Sequence, residues 1–262
     1  MTSRMRVGIL GGGQLARMLV LAGYPLGFTF HVYDQEEHSA TAGLCRCSTG
    51  AFDDFTALRR FAESVDVVTT EFENVPASAL DEISQTVPTF PAGAAVEVAQ
   101  DRFTEKEFFK SVGIGTPGYC TVDTREELLQ AGAKLGYPFV LKSRRFGYDG
   151  KGQWRVASAG DVDAVWREAS RGGSAAQCIA EEFVSFDREL SVLFVRSRNG
   201  ASACYPLVEN VHRDGILRSS LAPAPEITAA VQSTAERYAS AIAKRLSYVG
   251  VFALELFESG GR

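Results

Sequence analysis

The most chemically pointed stretch of the chain is Arg144-Arg145-Phe146-Gly147-Tyr148-Asp149-Gly150-Lys151-Gly152-Gln153, in which three glycines and a lysine follow a strand-like run containing Lys142. Glycines free the backbone and Lys151 supplies charge, so the segment suits a cationic flap that closes over phosphates. A Walker loop would run into a helix, whereas this loop runs into a second strand-like segment and reads as a hairpin lid. An ordinary mobile hairpin is the competing reading. Further on, Glu181-Glu182-Phe183-Val184 ends one apolar run, and Asp187-Arg188-Glu189 lies where a turn belongs. Carboxylates there can hold ribose hydroxyls while the neighbouring backbone pairs with a purine edge. On composition alone they more often line a solvated turn. The last apolar run, Val249–Phe257, carries one acid, Glu255. Such a carboxylate is costly to bury unless paired or bound to a cation. A Mg²⁺ ion shared with substrate phosphates is a good explanation.

A second glycine cluster opens the chain. Gly8-Ile9-Leu10-Gly11-Gly12-Gly13-Gln14-Leu15-Ala16 has the spacing of a strand–turn–helix anion site, where backbone N–H groups and a helix N-terminus favour negative charge. Asp34, at the end of the next apolar run, could serve as the ribose acid of an NAD site. The spacing fits a dinucleotide, a simpler phosphate ester, or a tight turn with close helix packing.

These residues need elements to hold them. Met5–Leu10, Phe28–Asp34 and Val65–Thr70 read as strands, and helices are expected over Leu15–Ala22, after a cap at Asp53 or Asp54, and over Pro76–Gln85. That alternation implies a parallel sheet with helices on its faces. From about Gln100 the pattern changes. Helices are expected at Asp101–Val112, Thr124–Leu135, Asp161–Ser170 and Ile227–Leu246. Strands are expected at Pro138–Ser143, Gln153–Ala157, Gln177–Val184, Glu189–Arg196, Ala203–Val208 and Val249–Phe257. The elements no longer alternate one for one, so an α/β domain over 1–100 is followed by an α+β domain over 101–262.

Bulk properties exclude several classes. Of 262 residues, 45% are hydrophobic and 23% charged, ordinary for a globular protein. The net charge of -5 argues against broad nucleic-acid binding, which needs surplus Lys and Arg. Cys45, Cys47, Cys120, Cys178 and Cys204 are odd in number and scattered, so neither a disulfide framework nor a zinc site is expected. Met18–Tyr33 is broken by Gly23, Pro25 and Gly27, so no membrane span is expected. With no signal peptide apparent, a cytoplasmic location follows as the expectation.

In order along the chain, a strand lysine, G-Y-D-G-K-G-Q, E-E-F-V, D-R-E-L-S and F-A-L-E-L-F resemble the ATP-grasp enzymes. More narrowly, G-G-G-Q-L-A-R-M, E-F-E-N-V at Glu71–Val75, and the Y-P-L-V-E-N-V-H-R-D-G-I-L stretch to Leu217 resemble the 5-(carboxyamino)imidazole ribonucleotide synthases. The resemblance implies a Rossmann-like domain ahead of an ATP-grasp domain. It implies ATP- and bicarbonate-dependent carboxylation of 5-aminoimidazole ribonucleotide through carboxyphosphate, with Mg²⁺, in a homodimer. By the same resemblance Arg102 and Lys142 contact nucleotide phosphates under the lid Gly147, Tyr148, Asp149, Gly150, Lys151, Gly152 and Gln153. Glu181, Glu182, Phe183 and Val184 form the adenine hinge, Glu189 holds ribose, His212 lies at the nucleotide, and Glu255 is one metal carboxylate. Gly13, Gln14, Glu73, Tyr148 and Lys151 surround the imidazole ribonucleotide, with Tyr148 and Lys151 the candidate catalytic pair. That implication moves a phosphate ester ahead of NAD at the first glycine turn.

The resemblance also implies a second metal carboxylate and a further domain after Glu255, where this sequence reaches Ser259-Gly260-Gly261-Arg262. A protein ending there is expected to bind nucleotide weakly and turn over poorly, since half of the implied metal site would be missing. The rival readings are another ATP-grasp ligase (formate-dependent, biotin-carboxylating or peptide-forming), an NAD-binding oxidoreductase, or an inactive nucleotide-binding protein.

Overall fold

The structure is a computed structural model that describes residues 4–147, 151–171, 177–213 and 215–261. The chain forms two compact units, Met1–Ala99 with Leu246–Gly250, and Gln100–Arg245 with Val251–Arg262.

In the first unit β1 (Arg6–Leu10), β2 (Thr29–Asp34), β3 (Arg46–Thr49) and β4 (Val67–Thr70) form one parallel sheet in the order β3-β2-β1-β4. Parallel neighbours need crossovers, and α1 (Gln14–Gly23) and α2 (Phe55–Ala62) supply two of them, with α3 (Ala77–Ser84) and α4 (Gly93–Ala99) following β4. Asp54, not Asp53, caps α2 by accepting from the Ala57 amide at 3.0 Å. The apolar sides of α2 and α3 are buried with Leu10, Tyr33 and Val68, while Ala16 and Val20 of α1 are buried with Ile9 and Val32. β3 and α4 are not expected from periodicity. β3 is only four residues of mostly exposed polar edge strand, and α4 is short and alanine-rich.

The second unit contains two antiparallel arrangements. One sheet runs β5-β8-β6-β7, from β5 (Tyr119–Val122), β8 (Cys178–Glu182), β6 (Phe139–Ser143) and β7 (Gln153–Val156). Its core holds Val122, Phe139, Leu141 and Ala180 together with Leu128 of α6 (Arg125–Leu135) and Val165 of α7 (Val162–Ala169). Thr124 and Glu127 form a reciprocal capping box at the start of α6, satisfying two helix-end donors. The other sheet is built on β9 (Arg188–Arg196), which pairs with β10 (Ser202–Cys204), β11 (Val208–Arg213) and β13 (Gly250–Glu258), with β12 (Ile216–Leu221) beyond β11. α5 (Arg102–Ser111) opens the unit and α8 (Ala229–Arg245) packs on β9.

The expected strand Ala203–Val208 is a misreading. β10 stops at Cys204 and β11 starts at Val208, because Pro206 lacks an N–H for the ladder. β11 and β12 then form a hairpin whose mixed polar surface hides its strand period.

Candidate nucleotide site

The root of the glycine hairpin is held on both sides. Lys142 and Gln153 are register partners across β6 and β7, and the Ser143 amide donates to the Gly152 carbonyl at 2.8 Å. Gly152 has φ +70°, and a Cβ there would lie 2.6 Å from Ser143 Oγ, so glycine is required. A Cβ on Gly147 would sit 3.2 Å from the Lys151 carbonyl and 3.6 Å from the Arg102 guanidinium, which places Arg102 against the base of the hairpin. Tyr148, Asp149 and Gly150 lie outside the described residues.

Asp101, which sequence reasoning did not single out, fixes that root. It is buried, caps α5 through the amides of Phe103 (3.0 Å) and Thr104 (3.1 Å), and pairs with Arg144 at 2.8 Å and Arg145 at 3.3 Å. Burial pushes its carboxyl up, but these donors outweigh burial and hold it below the ordinary range. The Arg102 amide also donates to the Arg144 carbonyl at 3.0 Å. One acid therefore ties the start of α5 to both arginines that enter the hairpin.

Next to the hairpin root, at Lys142, lies a compact charge cluster. Glu181 of β8 is buried, and its Oε2 receives Lys142 Nζ at 3.0 Å and Lys106 Nζ at 3.3 Å. Burial acts to raise the Glu181 carboxyl, yet the two ammoniums prevail and keep it ionised below its usual range. Burial lowers the Lys106 ammonium, with Glu181 opposing and Lys142 reinforcing the shift. Glu105, next to Lys106, is pushed up to about 7, first by burial and then by Glu181 and Glu255, against Arg102 and Lys106. Arg102, Lys106 and Lys142 thus share one field with three carboxylates. Such an arrangement keeps cations desolvated yet reachable, where they act strongly on phosphate.

The remaining expected residues divide by their contacts. The Glu182 carboxylate accepts from the Gly118 amide at 3.2 Å, and Arg155 lies 4.9 Å from the exposed ring of Phe183. Val184 is half-buried just past β8. Glu181 itself does not extend toward a base edge, since its carboxylate is committed to the two lysines. Glu189 Oε2 lies 2.6 Å from His212 Nδ1, although that buried ring nitrogen has no aligned hydrogen bond. His212 follows an irregularity in the β11–β12 register after Val211, which turns its side chain off the regular alternation.

The burial expected for Glu255 is corrected. Glu255 is exposed on β13, and the buried acid of that strand is Glu258, which pairs with Arg188 at 2.6 Å. The period of two explains it: Leu254 and Glu258 are the buried positions, and Glu255 takes the opposite face. Its carboxylate is accessible and lies within the field of Glu105. Lys106 is a member of this cluster that sequence reading missed. Its signal was a lysine one turn after Arg102 on a helix otherwise rich in aromatics, which is weak without the tertiary partner Glu181.

In the first unit, the glycine turn is filled by the protein's own carboxylates. The Gly12 amide donates to Asp34 Oδ2 at 2.9 Å, while Gly13 and Ala16 donate to the two oxygens of Glu71 at 2.9 and 2.6 Å. Asp34 Oδ1 also accepts from the Gln35 amide. Asp34 is thereby engaged as a turn-holder, which removes the basis for reading it as a ribose acid. Gln14, the first residue of α1, is exposed, and so is Glu73, whose Oε1 accepts from Asn74 Nδ2 at 3.2 Å. The five cysteines are free thiols, and no group of metal-binding side chains occurs among the described residues. No helix among them is long and apolar enough to cross a membrane.

Comparison with known proteins agrees with this architecture. Residues 4–100 match the ribonucleotide synthetase preATP-grasp domain and residues 107–262 match the ATP-grasp domain. The N5-carboxyaminoimidazole ribonucleotide synthase of Pseudomonas aeruginosa is 42% identical over 257 residues, covering 98% of this chain and 69% of that protein. The crystal structure of N5-carboxyaminoimidazole ribonucleotide synthetase from Thermus thermophilus superposes with a TM-score of 0.88 at 46% identity, over 98% of this chain and 68% of the other. An Aspergillus clavatus N5-carboxyaminoimidazole synthase, crystallised with ADP and 5-aminoimidazole ribonucleotide, gives a TM-score of 0.85 at 32% identity over 98% and 67% of the two chains. The chain spans about two thirds of the length of these relatives. On fold, motif order and this likeness, the chain belongs to the ATP-grasp family and, within it, to the N5-carboxyaminoimidazole ribonucleotide synthases.

Proposed function

We propose that the chain carries out the ATP-dependent carboxylation of 5-aminoimidazole ribonucleotide to its N5-carboxy product, with bicarbonate as the carbon source and the charge cluster under the hairpin as the phosphate site. The observation that carries this reading is the Lys106–Glu181–Lys142 cluster beside Arg102, at the root of a glycine hairpin in an ATP-grasp fold.

The chemistry follows from that placement. A bicarbonate oxygen forms a bond to the γ-phosphorus as the bond to the β-phosphate oxygen breaks, giving carboxyphosphate and ADP. The exocyclic amine then bonds to the carboxyl carbon, or to CO₂ released beside it, as phosphate departs and the amine loses its proton. Charge builds on phosphoryl oxygens, and in this reading Arg102, Lys142 and Lys151 offset it. Closure of Gly147–Gln153 would exclude water from the labile carboxyphosphate. The end of β8, Glu181 to Val184, with Glu189 and His212, forms the wall for adenine and ribose. Glu255 offers the exposed hard oxygen that a magnesium ion sharing phosphate oxygens requires. Such an ion, when bound, would neutralise further phosphate charge.

Gln14, Glu73, Tyr148 and Lys151 are assigned to the ribonucleotide. Gly13 enters through its lack of a side chain, since its amide is already committed to Glu71. A cytoplasmic homodimer completes the reading, supported by the free thiols for its compartment. The test is ADP release with Mg-ATP, with and without bicarbonate and 5-aminoimidazole ribonucleotide. Release that needs both co-substrates is the expected result. Release indifferent to the ribonucleotide would sink the acceptor assignment and leave an ATP-grasp ligase of another substrate.

A further inference from the structure

The three glycines after β1 are shaped around side chains of the same unit. A Cβ on Gly13 would strike Glu71 Oε1, one on Gly11 (φ +92°) would lie 2.7 Å from Glu71 Cγ, and one on Gly12 would lie 2.6 Å from Asp34 Oδ2. Glu71 then spans the first turn of α1, accepting from Gly13 and Ala16 with both oxygens, while its own amide donates to the Leu10 carbonyl at 3.0 Å. A carboxylate bridging two helix-end amides satisfies orphan donors and complements the helix dipole. Two residues further on is the exposed Glu73, in a segment otherwise pinned by the apolar contacts of Phe72 and Val75. Phe72 and Val75 fix the depth of that segment, and Glu71 ties it by two directional hydrogen bonds to the start of α1, which carries Gln14.

We propose that Glu71 is a positioning residue, whose carboxylate clamps the 71–75 segment onto the N-terminus of α1 and so sets Glu73 and Gln14 in fixed relation. The glycine turn accordingly serves as the socket for this clamp. The substrate's phosphate does not displace Glu71 from it. The role in binding rests on the proposed ribonucleotide reading, but the clamp itself does not.

Glu71→Gln keeps the size of the side chain while replacing one acceptor oxygen by a donor, and amide hydrogen exchange reads the result without any ligand. The expected outcome is exchange about tenfold faster at Gly13, Ala16 and Glu73–Val75, with Ile9 and Leu10 of β1 unchanged. Faster exchange at Gly13 and Ala16 alone would make Glu71 a helix cap and overturn the clamp. Titration of 5-aminoimidazole ribonucleotide into both proteins provides the second arm. A dissociation constant raised about tenfold, with ATP binding unchanged, is expected. Tighter ribonucleotide binding by the variant would show that Glu71 competes with the phosphate for the turn, and would also overturn the proposal. If the unsubstituted protein fails to bind the ribonucleotide, the substrate reading falls while hydrogen exchange still decides the clamp.

Discussion

The two glycine-rich segments look alike in sequence and behave oppositely in the fold. At the turn Gly11–Gly13 the amides of Gly12 and Gly13 go to Asp34 and Glu71, and Ala16 of α1 also donates to Glu71, so the helix start is met by acids of the same unit. At the root of the second segment Gly147 lies against Arg102 and Gln153 is the register partner of Lys142, so cations held by Glu181 stand beside it. Glycine supplies backbone freedom in both places. What separates the two is the charge packed against them: acids at the turn, cations together with acids at the hairpin root.

The largest effect is expected where the comparison is sharpest. Lys142→Met removes the ammonium nearest Glu181 and should lower ADP formation about a hundredfold, with a smaller change in thermal stability. Initial rates at saturating ATP and bicarbonate measure it. A fall of less than threefold would mean that the cluster is structural and that the hairpin closes over something else. Lys106→Met should act less strongly on turnover and more on the fold. Glu181 keeps Lys142 as its partner, so a loss of about 2 kcal/mol of stability is expected, with the KM for ATP raised about tenfold. Combining it with Glu181→Gln in a double-mutant cycle separates the pair from its parts. Additive costs would show that the 3.3 Å contact contributes nothing.

Much of this contrast was legible in the sequence, and the failures have identifiable causes. The helix near Thr124–Leu135 could be read from its local pattern, and the alternation up to Thr70 announces the parallel sheet. The hairpin could be read because its glycines, lysine and flanking strands are local. Lys106 and Asp101 could not be read this way, because each gains meaning only from a partner distant in sequence, Glu181 or the arginines at 144 and 145. Glu255 was misjudged for a related reason. An acid within Val249–Phe257 suggests burial, but the strand's alternation sends Leu254 and Glu258 inward and Glu255 out. The spacing at Gly11–Gly13 reports a helix N-terminus but not that Asp34 and Glu71 take up amides there, since both acids are distant in sequence.

Two groups, the buried His31 and the half-buried Glu105, respond to pH in opposite directions. His31 is buried between Ser64 and Ser48, with ring nitrogens 2.7 and 2.8 Å from their hydroxyls, and burial followed by the field of Arg46 lowers its pKa to about 4. Between about 4 and its ordinary 6.5 the unfolded chain binds more protons than the fold, so stability falls as pH drops through that window. Glu105 behaves in reverse. Its pKa is raised from 4.5 to about 7, so the fold binds more protons in that interval and stability falls as pH rises through it. Each contribution should be on the order of 1 kcal/mol after partial exposure and relaxation are allowed for. Thermal unfolding of His31→Gln, Glu105→Gln and the unsubstituted protein from about pH 4 to 8 isolates the two slopes by difference. The first variant should lose the acid-side slope, and the second the slope between 4.5 and about 7. If Glu105→Gln leaves that slope intact, the fold does not raise the Glu105 pKa, and burial does not dominate its environment in the cluster.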